Sequence, residues 1–386
     1  MARVKPSATS ASLALASALK AQGRDVIGLG AGEPDFDTPE HIKAAAMQAI
    51  KDGYTKYTPV DGSAELKAAI QRKFQRENQL EYAPSQILVS SGAKQSLFNL
   101  CLGLLGPGDE AIIPAPYWVS YPDMVGLADA APVIINTGID DDFKITPAKL
   151  EAAITNKTRL LILNSPSNPT GACYASDELQ ALGTVLEQHP KVVVVADDIY
   201  EHIHWADEAF SSFATACPGL YDRVVTINGV SKAYAMTGWR IGYAAGPDAL
   251  IKAMHTIQSQ STSNPCSISQ QAAIAALDGN QGPVKTMCAA YRRRHDYIVD
   301  ALNALPGIRC RPGEGTFYAF PSIEAAMRAT GHATDAEFVE WLLNAADIAC
   351  VPGSAFGAAG YLRISYACSQ ETLAEAVNRM KRALPA

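Results

Sequence analysis

Three observations predict an α/β layer fold built on a mostly parallel sheet. Seven short apolar runs recur between residues 87 and 245, stretches of helical spacing separate them, and after about residue 285 the texture changes to that of a smaller α+β unit. The runs are ILVS (87–90), AIIP (111–114), PVII (132–135), LLIL (160–163), VVVVAD (192–197), VVTI (224–227) and IGYAA (241–245). Their Val, Ile and Leu residues are continuous rather than alternating with polar ones. Such strands are buried on both faces, and helices must supply the cover. Residues 97–105 and 177–187 carry apolar residues at helical spacing; Ser176 is the expected N-cap of the second, with Asp177 and Glu178 favourable in its first turn. A long helix over 284–304 then leads to GTFYAF (315–320), further helices and YLRISYA (361–367). The expected division is an N-terminal segment over 1–40 packing with the small unit, a large α/β domain over 41–283 and a small α+β domain over 284–386.

The 386 residues are 48% hydrophobic and 18% charged, enough for two or three domains with real cores. Net charge is −7 and no cluster of five or six Lys/Arg occurs, which argues against a nucleic-acid partner; YRRRH (291–295) reads as a solvated helix face. Eight scattered cysteines without C-x-x-C spacing fit reduced thiols in a cytoplasmic protein. The amino terminus is a poor signal peptide, and no run of eighteen apolar residues predicts a membrane span.

The segment SKAYAMTGWRIGY (231–243) carries the chemistry. It follows VVTING (224–229), so Lys232 emerges where strands of an open sheet deliver their ligands. A lysine desolvated there has a lowered pKa and condenses with an aldehyde as the free amine, while Arg240 offers a guanidinium fork to an anion. A solvated loop lysine is the bland alternative. Asp197, Asp198 and Tyr200 stand at the carboxyl end of the fifth run; Asp197 there could keep a pyridine nitrogen protonated and Tyr200 could bond a ring oxygen, although Asp-Asp after a strand also starts plain turns. SSGAKQS (90–96) opens a helix after the first run, which turns the amides of Gly92, Ala93 and Lys94 outward as an anion site or as ordinary turn chemistry. NSPSNPTG (164–171) sets Asn168 in a rigid loop. Arg363, between apolar neighbours, needs a partner, either a substrate carboxylate or an internal acid. Trp118 in PYWVSYP is a core or rim residue or a stacking platform. GLGAGEP (28–34) fails as a dinucleotide fingerprint because Glu33 takes the third glycine's place and Pro34 follows, and His202 and His204, without a completing ligand set, read as surface histidines rather than metal ligands.

Taken together, AGEPDFDTP (31–39), KYTP (56–59), SSGAKQS, PYWVSYP, NSPSNPTG, DDIYEH (197–202), SKAYAMTGWRIGY and RISYA (363–367) resemble the class I aminotransferases of pyridoxal 5′-phosphate fold type I. The resemblance spans nearly the whole chain and is nearest to the bacterial and plastid branch of aspartate and aspartate/glutamate–prephenate aminotransferases. It implies that Lys232 carries the cofactor as a Schiff base, that Asp197 pairs with the pyridine nitrogen, that Tyr200 and Asn168 bond the ring 3-oxygen and that Trp118 stacks on the ring. Arg240 and the Gly92, Ala93 and Lys94 amides would hold the phosphate, with Ser231 a substitute for a serine that some relatives carry at the place of Gly229. Tyr57 would reach the phosphate across a homodimer interface, giving shared active sites. Arg363, Asn168 and the Gly32 backbone would take the substrate α-carboxylate, and Lys94 and Thr9 the distal one, since QSQSTSNP (258–265) offers no arginine. The implied reaction moves an amino group between aspartate or glutamate and a 2-oxo acid, with prephenate a further substrate. A β-eliminating lyase and an aromatic or broad-specificity aminotransferase are the alternatives.

Overall fold

The computed structural model of the chain describes residues 8–385, with side chains from residue 14 onward. Among these residues the strands are β1 (Ile27–Gly28), β2 (Ile87–Ser90), β3 (Glu110–Ala115), β4 (Ala131–Asn136), β5 (Thr158–Asn164), β6 (Val193–Asp197), β7 (Val224–Gly229), β8 (Gly242–Ala245), β9 (Tyr318–Ala319), β10 (Ile348–Ala349), β11 (Val351–Pro352) and β12 (Leu362–Ser365). Strands β2 to β8 form one seven-stranded sheet in the order β2-β8-β7-β6-β5-β3-β4. Its strands are parallel except β8, which runs antiparallel to both β2 and β7. All seven predicted runs are therefore strands of one sheet. Successive residues feed opposite faces: Leu161, Leu163, Val194 and Ala196 join one core with Ile70 and Phe74, whereas Leu160, Ile162 and Val195 join another with Leu97 and Leu100. Burial on both sides is what removed alternation from the sequence.

The helix after β2 covers Ala93–Leu104 and begins earlier than its apolar spacing indicated, because Gly92 supplies the turn. The next predicted helix, Ser176–Glu187, corrects the capping assignment. Ser176 is already helical, and Glu178 Oε2 instead accepts the Ala175 amide at 2.8 Å. The long helix runs Gly282–Asn303. Within its YRRRH stretch Arg292 and Arg293 are exposed, but Tyr291 and His295, four residues apart on one face, are buried, so only part of that stretch is a solvated face.

A further core gathers Ile27 and Leu29 with Tyr291, Phe317, Phe338 and Leu373. Strand β1 pairs in parallel with β10, and β12 lies between β11 and β9, antiparallel to both. GLGAGEP is extended here, with Leu29 N donating to Ala349 O at 2.7 Å, and opens no helix. No helix among the described residues is long and apolar enough to cross a membrane. Among the described residues the eight cysteines form no disulfide, and five of them are buried.

Candidate active site

The carboxyl ends of β5, β6 and β7 open onto one cavity of about 370 Å³. Gly32, Ala93, Lys94, Trp118, Asn168, Asp197, Tyr200, Ser231, Lys232, Arg240 and Arg363 all line it. They arrive from several separate segments, chiefly those following β2, β3, β5, β6 and β7, which is what an open parallel sheet does at this edge. Gly92 caps the adjoining helix. Tyr57 is elsewhere, 92% exposed at the surface of this chain. Thr9 lies outside the residues whose side chains are described.

Lys232 follows β7 and is half-buried, with Nζ donating to Gly32 O at 2.6 Å. Burial, with Arg363 and Arg240 nearby, pulls its pKa down to about 8, while Glu33 and Asp197 oppose the shift. About one molecule in ten therefore carries the free amine at pH 7.

Asp197 ends β6 and is 5% exposed. Burial raises its carboxyl to about 6 against the hydrogen bonds that favour the ion, from Tyr121 Oη at 2.7 Å and Ile199 N at 3.4 Å. Asn164 Nδ2 donates to Asp197 O at 2.8 Å, and its Oδ1 accepts the Asn168 amide at 2.7 Å, locking two loops together.

Arg363 is 1% exposed on β12. It donates to Asn168 Oδ1 at 2.9 Å and to Gly30 O at 2.7 Å, while Nε has no partner. No carboxylate faces it within ion-pairing distance among the described residues, so the internal salt bridge is ruled out as its reason for burial. A buried guanidinium with a spare donor has the chemistry to pair with a carboxylate.

Arg240 sits in the left-handed region at φ 56° and donates to Thr237 O at 2.8 Å and Ser91 O at 3.3 Å. It lies against Gly92, at φ 86°, where an added Cβ would stand 2.1 Å from Arg240 Nη2. The Ala93 and Lys94 amides open the helix and have no acceptor within it. A guanidinium beside helix-start amides is a phosphate cradle. Gly92→Ala is expected to cost about 1–2 kcal/mol for the left-handed backbone and to displace Arg240. Calorimetry with inorganic phosphate should then show at least a tenfold loss of affinity. Gly229 has no room for a side chain, since a Cβ would meet Ile241 O at 2.9 Å, so Ser231 is the hydroxyl available at this turn.

Lys94 Nζ lies 4.7 Å from the centre of the Trp118 ring. Burial and then Arg240 lower its pKa, and the side chain lines the cavity.

Sequence reasoning missed Tyr121 and Tyr318. Tyr121 stacks edge-on against Trp118, three residues before it, at 5.4 Å and 81°, and the spacing within PYWVSYP was the available signal. Tyr318 lies in GTFYAF, a segment the sequence places in the small α+β unit without a role in the site. His202 also differs from expectation: it is half-buried, 2.9 Å from Glu77, in a cluster with Glu201 whose ligand atoms lie within 4.8 Å of one another. The fully buried Lys73 ammonium pairs with Glu201 there and already supplies the positive charge.

The residues fit pyridoxal phosphate: an amine, an acid for a ring nitrogen, a flat indole and an anion cradle share one cavity. The chain is similar to known proteins over nearly its whole length. The chain is 55% identical to an aspartate/prephenate aminotransferase of Nitrosomonas europaea over 98% of its length and 96% of that protein's. It is 56% identical to the aspartate/prephenate aminotransferase of Cereibacter sphaeroides, covering 99% and 96%. The crystal structure of the aspartate aminotransferase from Rhizobium meliloti superposes with a TM-score of 0.95 at 50% identity, covering 99% of this chain and 98% of that one. The Thermus thermophilus aspartate aminotransferase with maleate gives 0.92 at 44% identity, covering 98% and 97%. Residues 24–380 match the family described as aminotransferase class I and II, and the chain belongs to it as an aminotransferase.

Proposed function

We propose that the cavity binds pyridoxal 5′-phosphate and that the enzyme moves amino groups between aspartate or glutamate and 2-oxo acids, prephenate among them. The observation that carries this is the opening of Lys232, buried Asp197 and buried Arg363 onto one cavity. The cofactor supplies a covalent carbonyl and an electron sink when its ring nitrogen is protonated. Asp197 holds that proton in place, Tyr200 and Asn168 take the ring oxygen, and Trp118 covers the ring. Arg240, Ser231 and the Ala93 and Lys94 amides take the phosphate, while the Gly92 amide already donates to Ser90 O at 2.8 Å and contributes the turn instead. Lys232 Nζ binds the cofactor aldehyde and, once released, takes the substrate Cα proton as general base. Arg363, Asn168 and the Gly32 backbone hold the α-carboxylate. Tyr57, exposed with Tyr54, Met47 and Ile50, is proposed to enter the cavity of a second copy, making a homodimer with shared sites. The free thiols suit a cytoplasmic enzyme. The unit over 284–386 is proposed as a small domain carrying residues 1–40, supported by the β1–β10 pairing, against a large domain over 41–283.

The distal carboxylate is assigned to Lys94 and Thr9. Relatives named for aspartate and prephenate, and the neighbour solved with maleate, favour a site for two carboxylates. Lys94→Ala is expected to weaken aspartate and glutamate by about 1–3 kcal/mol, a factor of about 5 to 150, while alanine is unchanged. Half-reaction titrations of the holoenzyme absorbance with aspartate, glutamate, an aromatic amino acid and arogenate test the reading as a whole. Equal losses for alanine and aspartate would remove Lys94 from the distal site. Pyruvate released from cysteine conjugates without a 2-oxo acceptor would indicate a β-eliminating lyase.

A further inference from the structure

Tyr318 stands where three parts of the chain meet, and none of the roles above uses it. It belongs to β9, pairs with Ser365 of β12 and is 1% exposed. Its hydroxyl is 2.9 Å from the Tyr200 hydroxyl. Its ring lies 4.4 Å from the guanidinium carbon of Arg363, and a Cβ at Gly32 would come 3.0 Å from its oxygen.

We propose that Tyr318 is a positioning residue that couples Arg363 to the far end of the cofactor site: it donates its proton to the Tyr200 oxygen, which leaves the Tyr200 proton for the cofactor ring oxygen. The inference rests on the pyridoxal phosphate reading above. Two hydroxyls sharing one hydrogen bond assign donor and acceptor by relative acidity. Burial raises both phenols and Arg363 opposes the rise in both, but its guanidinium lies over the Tyr318 ring and is the leading opposing influence there, whereas Asp197 adds to the rise only at Tyr200. Tyr318 is thus the better donor. The charged groups facing the pair are Arg363 from β12, Asp197 at the end of β6 and Lys232, 5.9 Å from the Tyr200 ring centre; Lys232 in turn faces Glu33 and Arg240.

The chain of effects has a sign. A Tyr200 hydroxyl that accepts from Tyr318 is a stronger donor to the ring oxygen, and it stabilises negative charge there. A Schiff base at Lys232 then holds its proton less tightly. A carboxylate on Arg363 neutralises the cation that acidifies Tyr318, so filling the carboxylate site tightens the hold on that proton and does so partly through Tyr318.

The test is a pH titration of the holoenzyme's visible absorbance, with and without maleate as an unreactive dicarboxylate. In the wild type, maleate moves the midpoint to higher pH. Tyr318→Phe is expected to raise proton affinity without maleate by about threefold to tenfold, the range of one hydrogen bond, and to shrink the maleate effect. Tyr318→Phe placed on Tyr200→Phe should change the midpoint by less than about twofold, because the route is already cut. Gly32→Ala, which pushes a methyl against the Tyr318 oxygen, should move the midpoint in the same direction and serves if Tyr318→Phe does not fold. A coloured Tyr318→Phe enzyme titrating like wild type, or toward lower pH, overturns the coupling alone. Wild-type protein that never acquires the absorbance overturns the cofactor reading and this proposal with it.

Discussion

Lys232→Ala is expected to abolish fixation of pyridoxal phosphate by borohydride and to lower turnover by about four orders of magnitude or more. Two functions are lost together, the covalent anchor and the base for the Cα proton, and general base catalysis alone contributes about 10²–10⁴. The residue's surroundings give the prediction a pH dependence. With its pKa drawn down to about 8, Lys232 gains free amine as pH rises through that value. Cofactor uptake by the apo wild type should accelerate about tenfold between pH 7 and 9 and then level off. Stopped-flow absorbance on mixing with pyridoxal phosphate measures this. A stable borohydride adduct at another lysine, or uptake whose rate ignores pH over this range, would take the role away from Lys232.

The elements that deliver this lysine were legible because both faces of their sheet are buried. A strand such as β5 shows Leu160 and Ile162 to one core and Leu161 and Leu163 to the other, so its sequence is an uninterrupted apolar run. The polar residues just past such runs mark the ligand edge, which is why Lys232, Asp197, Asn168 and Gly92 could be placed before any geometry was known. Partnerships between distant segments were not legible. Tyr121 and Tyr318 bury their rings as any core aromatic does, and only the target of each hydroxyl, Asp197 or Tyr200, distinguishes them. His202 looked like a surface residue because Glu77, which pairs with it, lies more than a hundred residues earlier. β1 and β10, two residues each, are too short for periodicity to reveal. Arg363 was ambiguous between substrate and internal acid until its neighbours proved to be Asn168 Oδ1 and Gly30 O.

Asp197→Ala is expected to keep the cofactor but slow turnover by about two to four orders of magnitude, scaling from a broken buried charge pair. The argument rests on what burial does to this carboxyl. Its folded value of about 6 lies above the ordinary 3.8, so the apo fold favours the protonated acid. The sign follows: this group's contribution to apo stability is greatest below the ordinary value and is lost as pH rises through about 6, a difference of about 3 kcal/mol. The apo protein therefore carries a buried anion at neutral pH whose cost Tyr121, Ile199 and Lys232 offset only in part, and a protonated ring nitrogen would offset more of it. Tyr121 occupies one carboxylate oxygen at 2.7 Å, and the other is met only by the Ile199 amide at 3.4 Å, which leaves it able to face that cation. Asp197→Asn should consequently make the apo enzyme more stable than wild type at pH 8, by about 2–3 kcal/mol in urea unfolding, and by roughly half as much at pH 5. The same substitution should remove catalysis, since an amide cannot hold the nitrogen's proton. Single-turnover rates near wild type in Asp197→Ala would sink the role, and an Asp197→Asn apo protein no more stable than wild type at pH 8 would show that the carboxylate is not held at a cost to the empty fold.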